Sequence, residues 1–279
     1  MIVTRFAPSP TGLLHLGHAY AAITACEAGD RFLVRIEDID AGRCKPEYES
    51  AILEDLEWLG LCFERPVLRQ SARLAAYREA LAALEARGLL YPCFCTRKDI
   101  AEEIARSVGA PHGPDGPIYP GLCRSLGESE RDRRIANSEA YALRLDAAKA
   151  AREVGRLVFD EQGAGPNGET GRIEVQPLKF GDVVLARKEM PVAYHLAVLV
   201  DDAFQGVTLV TRGNDLFVST HVQRLLQALL GLPAPAYAHH LLILDEEGRK
   251  FSKRDRAVTL RALRNGGVTP EEIRRRLLG

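Results

Sequence analysis

Residues 1 to 36 constrain the fold more than any other stretch of the chain. Ile2-Val3-Thr4-Arg5-Phe6 is an apolar lead-in that reads as a short strand, and Pro8, Pro10 and Gly12 forbid its continuation. An Ala-rich run from about Leu16 to Ala28 then reads as a helix stopping at Gly29. Arg31 to Ile36 is a second compact apolar run, which fits a strand parallel to the first. Strand, helix and strand in so short a span form a βαβ unit, so an α/β class is expected.

In such sheets ligands bind beyond the carboxyl ends of the strands. Here that rim carries His15 and His18 on the loop that opens the helix, where unpaired N–H groups and the positive end of the helix dipole favour an anion. Nucleotide phosphates are the obvious candidate, although His-x-x-His alone is a weak signal. The second strand ends in Glu37, Asp38 and Asp40 on the same rim. Glu37, leaving the strand directly, suits a cationic group such as an α-ammonium; the other two fit a solvated acidic loop equally well.

Charge is balanced, with 37 Lys+Arg against 38 Asp+Glu, so any nucleic-acid partner must be held by local basic patches. No apolar stretch approaches the roughly 20 residues that span a bilayer. Met1-Ile2-Val3 runs into the first strand without a leader pattern, so a cytoplasmic location is expected. The 6 cysteines of such a chain do not suggest a disulfide framework.

Pro46 to Leu59 and Ser71 to Arg87 read as amphipathic helices, the second capped by Ser71 with Leu74, Tyr77, Leu81 and Leu84 facing the core. Residues 89–188 have the texture of an insertion between two halves of an α/β domain. Cys93 and Cys95, followed across a Gly/Pro-rich loop by Cys123, supply three thiolates, and a closed zinc site wants a fourth ligand. Tyr119 and His112 are the candidates, and general ligand frequency favours His112. Residues 160–174 are Gly-rich and polar, as in an exposed hairpin. Residues 191–200 and 206–210 read as buried strands with Tyr194, Asp201, Arg212 and Asp215 at their borders. Thr220 to Leu230 reads as a helix stopped by Gly231, and Pro270 opens a last short helix. Between them lies a cationic turn, Arg249-Lys250-Phe251-Ser252-Lys253-Arg254.

Taken together, the two ends of the chain resemble a known family. His15-Leu16-Gly17-His18 resembles the HIGH motif, and Lys250-Phe251-Ser252-Lys253-Arg254 the KMSKS motif, of class I aminoacyl-tRNA synthetases. Arg5 to Gly12, Arg35 to Asp40 and the Tyr194 to Asp215 block look like the glutamyl branch. Phe251, Arg254 and His195 depart mildly from its usual residues. The resemblance implies a Rossmann-type catalytic domain in two halves, 1–88 and 189–236, a zinc-containing connective insertion at 89–188, and a short truncated helical segment with the KMSKS-like loop at 237–279. A glutamyl-tRNA synthetase continues into an anticodon-binding region, so the early stop, with the Cys-x-Cys and Tyr-x-x-x-Cys pattern, is similar to glutamyl-Q tRNA(Asp) synthetases.

That family activates L-glutamate with ATP without needing tRNA, then transfers it to the queuosine of tRNA(Asp). The resemblance implies that His15, Gly17 and His18 hold ATP, that Lys253 assisted by Lys250 stabilises the leaving pyrophosphate, and that Mg2+ accompanies the nucleotide. It assigns the glutamate to Arg5, Phe6, Ala7, Pro8, Ser9, Glu37, Tyr194 and Arg212. It also makes Tyr119, rather than His112, the fourth zinc ligand beside Cys93, Cys95 and Cys123. A monomer is expected. The competing expectations are a glutamyl-tRNA synthetase core charging the tRNA 3′ end, and a small-molecule nucleotidyltransferase sharing only His-x-x-His.

Overall fold

Strands β1 (Val3–Phe6) and β2 (Arg31–Ile36) pair in parallel around helix α1 (Leu16–Ala28), as the sequence predicts. The computed structural model describes residues 1–106, 112–113, 116–187, 190–243 and 258–278, the side chains of 106, 112–113 and 116–117 excepted. Helix α2 (Pro46–Trp58) starts at its proline, and the two-residue β3 (Leu68–Arg69) extends the parallel sheet beside β2. Helix α3 (Leu74–Ala86) begins later than expected. Ser71 does not cap it but lies in a 3₁₀ turn, Gln70–Arg73, where its amide and hydroxyl both bond to the Asp38 carboxylate.

Strand β4 (Leu90–Cys93), helix α4 (Arg97–Arg106) and the short β5 (His112–Gly113) and β6 (Gly116–Pro117) lead to α5 (Glu128–Ala136). Strand β7 (Ala142–Leu145) is followed by α6 (Ala147–Val154), the hairpin β8 (Val158–Glu161) with β9 (Gly171–Glu174), and β10 (Val184–Arg187). Strands β4, β7 and β10 form a small antiparallel sheet.

The apolar run at 191–200 is a helix, α7 (Tyr194–Phe204), and not a strand. Leu196, Ala197, Val198 and Leu199 are all buried, so this stretch has no polar face to display a 3.6-residue period, and an apolar run of this kind is ambiguous in sequence. Asp201 and Asp202 therefore project from within a helix. Strand β11 (Leu209–Gly213), helix α8 (Ser219–Leu230) with Gly231 in the left-handed conformation at its end, strand β12 (Ala236–His240), and helices α9 (Leu260–Asn265) and α10 (Pro270–Leu278) complete the order.

A second sheet has the order β11-β12-β8-β9, its first three strands parallel. It meets the first where Thr208 donates its amide to the Val3 carbonyl at 3.0 Å. The hairpin at 160–174 is thus built into this sheet, although it falls in the stretch expected as an insertion. Strand alternation sorts the two faces. Phe6, Phe32, Val34 and Ile36 pack with α1, α2, α9 and α10, whereas Val3 and Leu33 face Phe159, Val210 and Tyr237. Arg5 and Arg35 share the parity of Val3 and Leu33, which aims both towards α7. Among the described residues no helix is long and apolar enough to cross a membrane.

Candidate active site

Two arginines and a glutamate converge where β1, β2 and β11 end. Arg5, Phe6, Ala7, Glu37, Tyr194 and Arg212 line a cavity of about 170 Å³. Ala21, Val198, Thr211, Gly213 and Leu216 complete its wall. Beneath it lies a buried ionic cluster. Arg5 donates Nε to Asp202 at 3.1 Å and Nη1 to the Thr211 carbonyl at 3.2 Å. The fully buried Arg35 donates to Asp202 at 2.6 Å, to Gln205 at 3.1 Å and to Glu37 at 3.2 Å. Asp201 accepts from Arg73, Tyr77 and Gln70 at 2.6, 2.7 and 2.9 Å. Three guanidinium groups thus face three carboxylates, which is what makes the burial tolerable.

The two acids nearest the cavity titrate in opposite directions. Burial raises the Glu37 carboxyl above its ordinary range, against the pull of Arg35 and Arg5. Burial acts on Asp202 in the same sense, but there Arg5 and Arg35 together prevail and hold it below that range. Arg212 donates Nη2 to Thr220 at 2.7 Å, Nη1 to Gln223 at 2.8 Å and to the Tyr194 hydroxyl at 3.5 Å, and Nε to His239 Nε2 at 3.0 Å.

On the other side of β1, His15 is the N-cap of α1. Its Nδ1 accepts the Gly17 amide at 3.1 Å, while His18 Nδ1 accepts the His15 amide at 3.2 Å. Each Nδ1 must be unprotonated to accept, so each neutral ring carries its proton on Nε2. The capping bonds thereby set two N–H donors on the far edges of rings whose centroids are 3.8 Å apart. Leu260 donates its amide to the Leu14 carbonyl at 2.8 Å, and Thr259 bridges to His15, tying the start of α9 to this loop.

The cysteine cluster assembles as the spacing requires. The sulfurs of Cys93, Cys95 and Cys123 all lie within 4.8 Å of one another. The Tyr119 hydroxyl is 3.3 Å from Cys93 Sγ and 3.4 Å from Cys95 Sγ. The Cys95 and Cys123 sulfurs are 3.4 Å apart, near the roughly 3.8 Å expected for two thiolates on one tetrahedral zinc with Zn–S bonds of about 2.3 Å. Burial is the main force pushing the Cys95 thiol up to about 12. Such crowding of groups that lose protons is what a divalent cation relieves. Three thiols and a phenol form a closed, oxygen-poor set suited to zinc. The side chain of His112 lies outside the described residues.

A family model described as tRNA synthetases class I (E and Q), catalytic domain, matches residues 1–278. The chain belongs to this class I tRNA synthetase family. It is accordingly an enzyme of the ligase class, and the Rossmann-type α/β expectation holds. The chain is 51% identical over 280 residues to the glutamyl-Q tRNA(Asp) synthetase of Rhodobacter capsulatus, covering 98% of this chain and 99% of that one. It is 42% identical over 287 residues to the enzyme of the same name from Symbiobacterium thermophilum, covering 98% and 84%. Among solved structures, a glutamate tRNA ligase from Elizabethkingia meningosepticum in complex with its amino acid superposes with a TM-score of 0.72 at 29% identity. That match covers 91% of this chain and 52% of the ligase, so this chain spans about half the ligase's length.

Of the residues that the family resemblance assigns to glutamate, this tRNA synthetase brings Arg5, Phe6, Ala7, Glu37, Tyr194 and Arg212 to one cavity. Pro8 and Ser9 stand outside its lining; Pro8 supports the site indirectly, its carbonyl accepting the Glu37 amide at 3.0 Å. Asp38 and Asp40 are engaged by Ser71 and Arg43. His195 packs edge-on against Phe180 and is not part of the lining. Lys250 and Lys253 lie outside the described residues. Sequence reasoning missed Arg35, Asp202, Glu161, Thr220, Gln223 and His239; Asp202 and the Glu161–His239 pair meet partners remote in the chain, while Thr220 and Gln223 sit on a helix whose polar face the sequence did not single out.

Proposed function

We propose that this synthetase activates L-glutamate with ATP and transfers the glutamyl group to the queuosine of tRNA(Asp). The observation that carries the reading is the paired-arginine cavity: guanidinium forks suit a carboxylate, and Glu37 beside them suits an α-ammonium. Two relatives named for this activity match along 99% and 84% of their lengths. A glutamate oxygen would attack the α-phosphorus of ATP, forming a carboxylate–phosphate anhydride as pyrophosphate leaves. An acceptor hydroxyl would then attack the carbonyl and release AMP. The Nε2–H groups of His15 and His18 would meet the charge building on the phosphate, a contribution of positioning and electrostatics. Lys253 with Lys250 would take the pyrophosphate, and Mg2+ would travel with the nucleotide, bound chiefly by phosphates and water. Cys93, Cys95, Tyr119 and Cys123 would hold one structural Zn2+.

The deciding experiment incubates the protein with labelled glutamate, ATP and tRNA(Asp), with and without queuosine, before and after removal of the 3′-terminal adenosine. Label that depends on queuosine and survives loss of the adenosine supports the reading. Label lost with the adenosine assigns the chain to 3′-end charging instead.

A further inference from the structure

Arg5 and Arg35 each meet a carboxylate directly, but Arg212 does not. Among the described residues its partners are all neutral: the Tyr194 hydroxyl, Gln223, Thr220 and the His239 ring. A guanidinium held by neutral acceptors at 6% exposure is a buried charge in want of an anion. The negative group on its side of the site stands one residue further back. Glu161 Oε2 lies 2.6 Å from His239 Nδ1, and Glu161 Oε1 accepts the amides of His239 and Gly163, each at 2.9 Å. Both Glu161 side-chain oxygens are therefore committed to this relay, and its exposure is 2%.

The donor inventory fixes the ring between them. Arg212 Nε can only donate, so His239 Nε2 must accept, and the ring proton must sit on Nδ1 and point at Glu161. Burial holds the imidazole below its ordinary range against the pull of Glu161, which keeps it neutral. Tyr237 stacks on the ring at 6.0 Å with planes 6° apart, limiting its rotation. A direct Glu161–Arg212 pair would have closed the guanidinium fork on an internal carboxylate. The interposed imidazole orients Arg212 from behind and supports its charge, while the arginine still lines the cavity.

We propose that Glu161 and His239 are positioning residues that hold Arg212 charged and oriented, so that the cavity selects a side chain ending in carboxylate over one ending in carboxamide. This rests on the reading that the cavity takes glutamate. It assigns no chemistry to either residue.

The test is ATP–pyrophosphate exchange with glutamate varied and glutamine as the competing substrate. Glu161→Gln removes the charge and leaves a single side-chain oxygen where the ring N–H and the two backbone amides had two, so it breaks the relay. It should raise KM for glutamate about tenfold or more and lower the glutamate-to-glutamine preference by a similar factor, with kcat and KM for ATP within about threefold of wild type. Unchanged glutamate KM and selectivity in the folded variant overturn the proposal. So does a parallel loss in kcat and ATP affinity, which marks a merely structural role. Should Glu161→Gln not fold, nitrogen-15 spectra of histidine-labelled wild-type protein decide: a proton on His239 Nδ1 with Nε2 bare is expected, and a protonated Nε2 sinks the relay. Wild-type protein that shows no glutamate-dependent exchange removes the glutamate reading itself, whereas an active wild type with indifferent variants removes only the relay.

Discussion

The carboxylate of Asp55 lies 3.6 Å from Nη1 of Arg264, and neither of its buried oxygens has a hydrogen-bond donor among the described residues. Burial raises its carboxyl to about 6 from an ordinary 3.8, with Arg264 and Arg261 pulling the other way. The folded chain therefore holds this proton more tightly than the unfolded one. The penalty of ionisation is complete above about pH 6 and is relieved as pH falls towards 4. Asp55→Asn should stabilise the protein at pH 8 by about 1 kcal/mol, a figure discounted for the water around the partly exposed Arg264. Thermal denaturation of both proteins from pH 8 to pH 4.5 should show the difference shrinking; a gap that widens in acid contradicts the assignment.

Arg5 serves both the cavity and the cluster below it, since its Nε holds Asp202. Arg5→Ala should reduce kcat/KM for glutamate in pyrophosphate exchange by about a hundredfold or more, in keeping with the cost of breaking a buried charge pair. Near-normal exchange in a folded variant counts against Arg5 as a carboxylate donor.

His15 combines a helix cap at Nδ1 with an N–H on the opposite edge of its ring. Asparagine also caps well, so His15→Asn should leave the denaturation midpoint nearly unchanged while exchange falls by about two orders of magnitude. His15→Ala should lose both, with an added stability cost of about 1 kcal/mol. Equal activity in His15→Asn and wild type removes the phosphate role.

The thiol cluster predicts one zinc per chain by elemental analysis. Tyr119→Phe deletes the hydroxyl that touches two of the sulfurs and should weaken zinc binding by at least the ten- to hundredfold typical of perturbed metal sites. Unchanged zinc affinity restricts the ligand set to the cysteines and a group other than Tyr119.

A Cβ added at Gly163 would stand 2.2 Å from the His239 carbonyl oxygen and 2.7 Å from its amide nitrogen. Backbone atoms cannot yield as a side-chain tip can, so Gly163→Ala should push the turn after β8 away from β12. The expected cost is about 1–3 kcal/mol together with a raised KM for glutamate. Calorimetry and exchange on the same preparation check both.

Where the information for a feature is local, the sequence carries it. The βαβ start, the proline opening α2 and the Gly231 stop are each written within a few adjacent residues, and all three form. The Cys-x-Cys and Tyr-x-x-x-Cys spacing likewise brings its donors together. Residues 191–200 misled because Leu196 to Leu199, a full turn in succession, are all buried, and such a run shows no helical periodicity. Strand β12 passed unnoticed because Ala236–His240 is short and carries two histidines, and its strand character comes from β11 and β8 on either side. Asp202 and Glu161 escaped for a related reason: their partners lie 197 and 78 residues away, and an acid on a predicted strand end or hairpin reads as solvated.

The junction of β1 with Thr208, and the packing of α1 beside Leu260, Ile273 and Leu277, also bear on synthesis. The histidine loop is translated well before Thr208, Leu260, Ile273 and Leu277, which bury its strand and helix. Until then the apolar faces of Phe6, Ile23 and Val34 lack their full cover. Such long-range closure slows folding and lengthens exposure of sticky intermediates, so the growing chain should depend on chaperones until α10 has emerged.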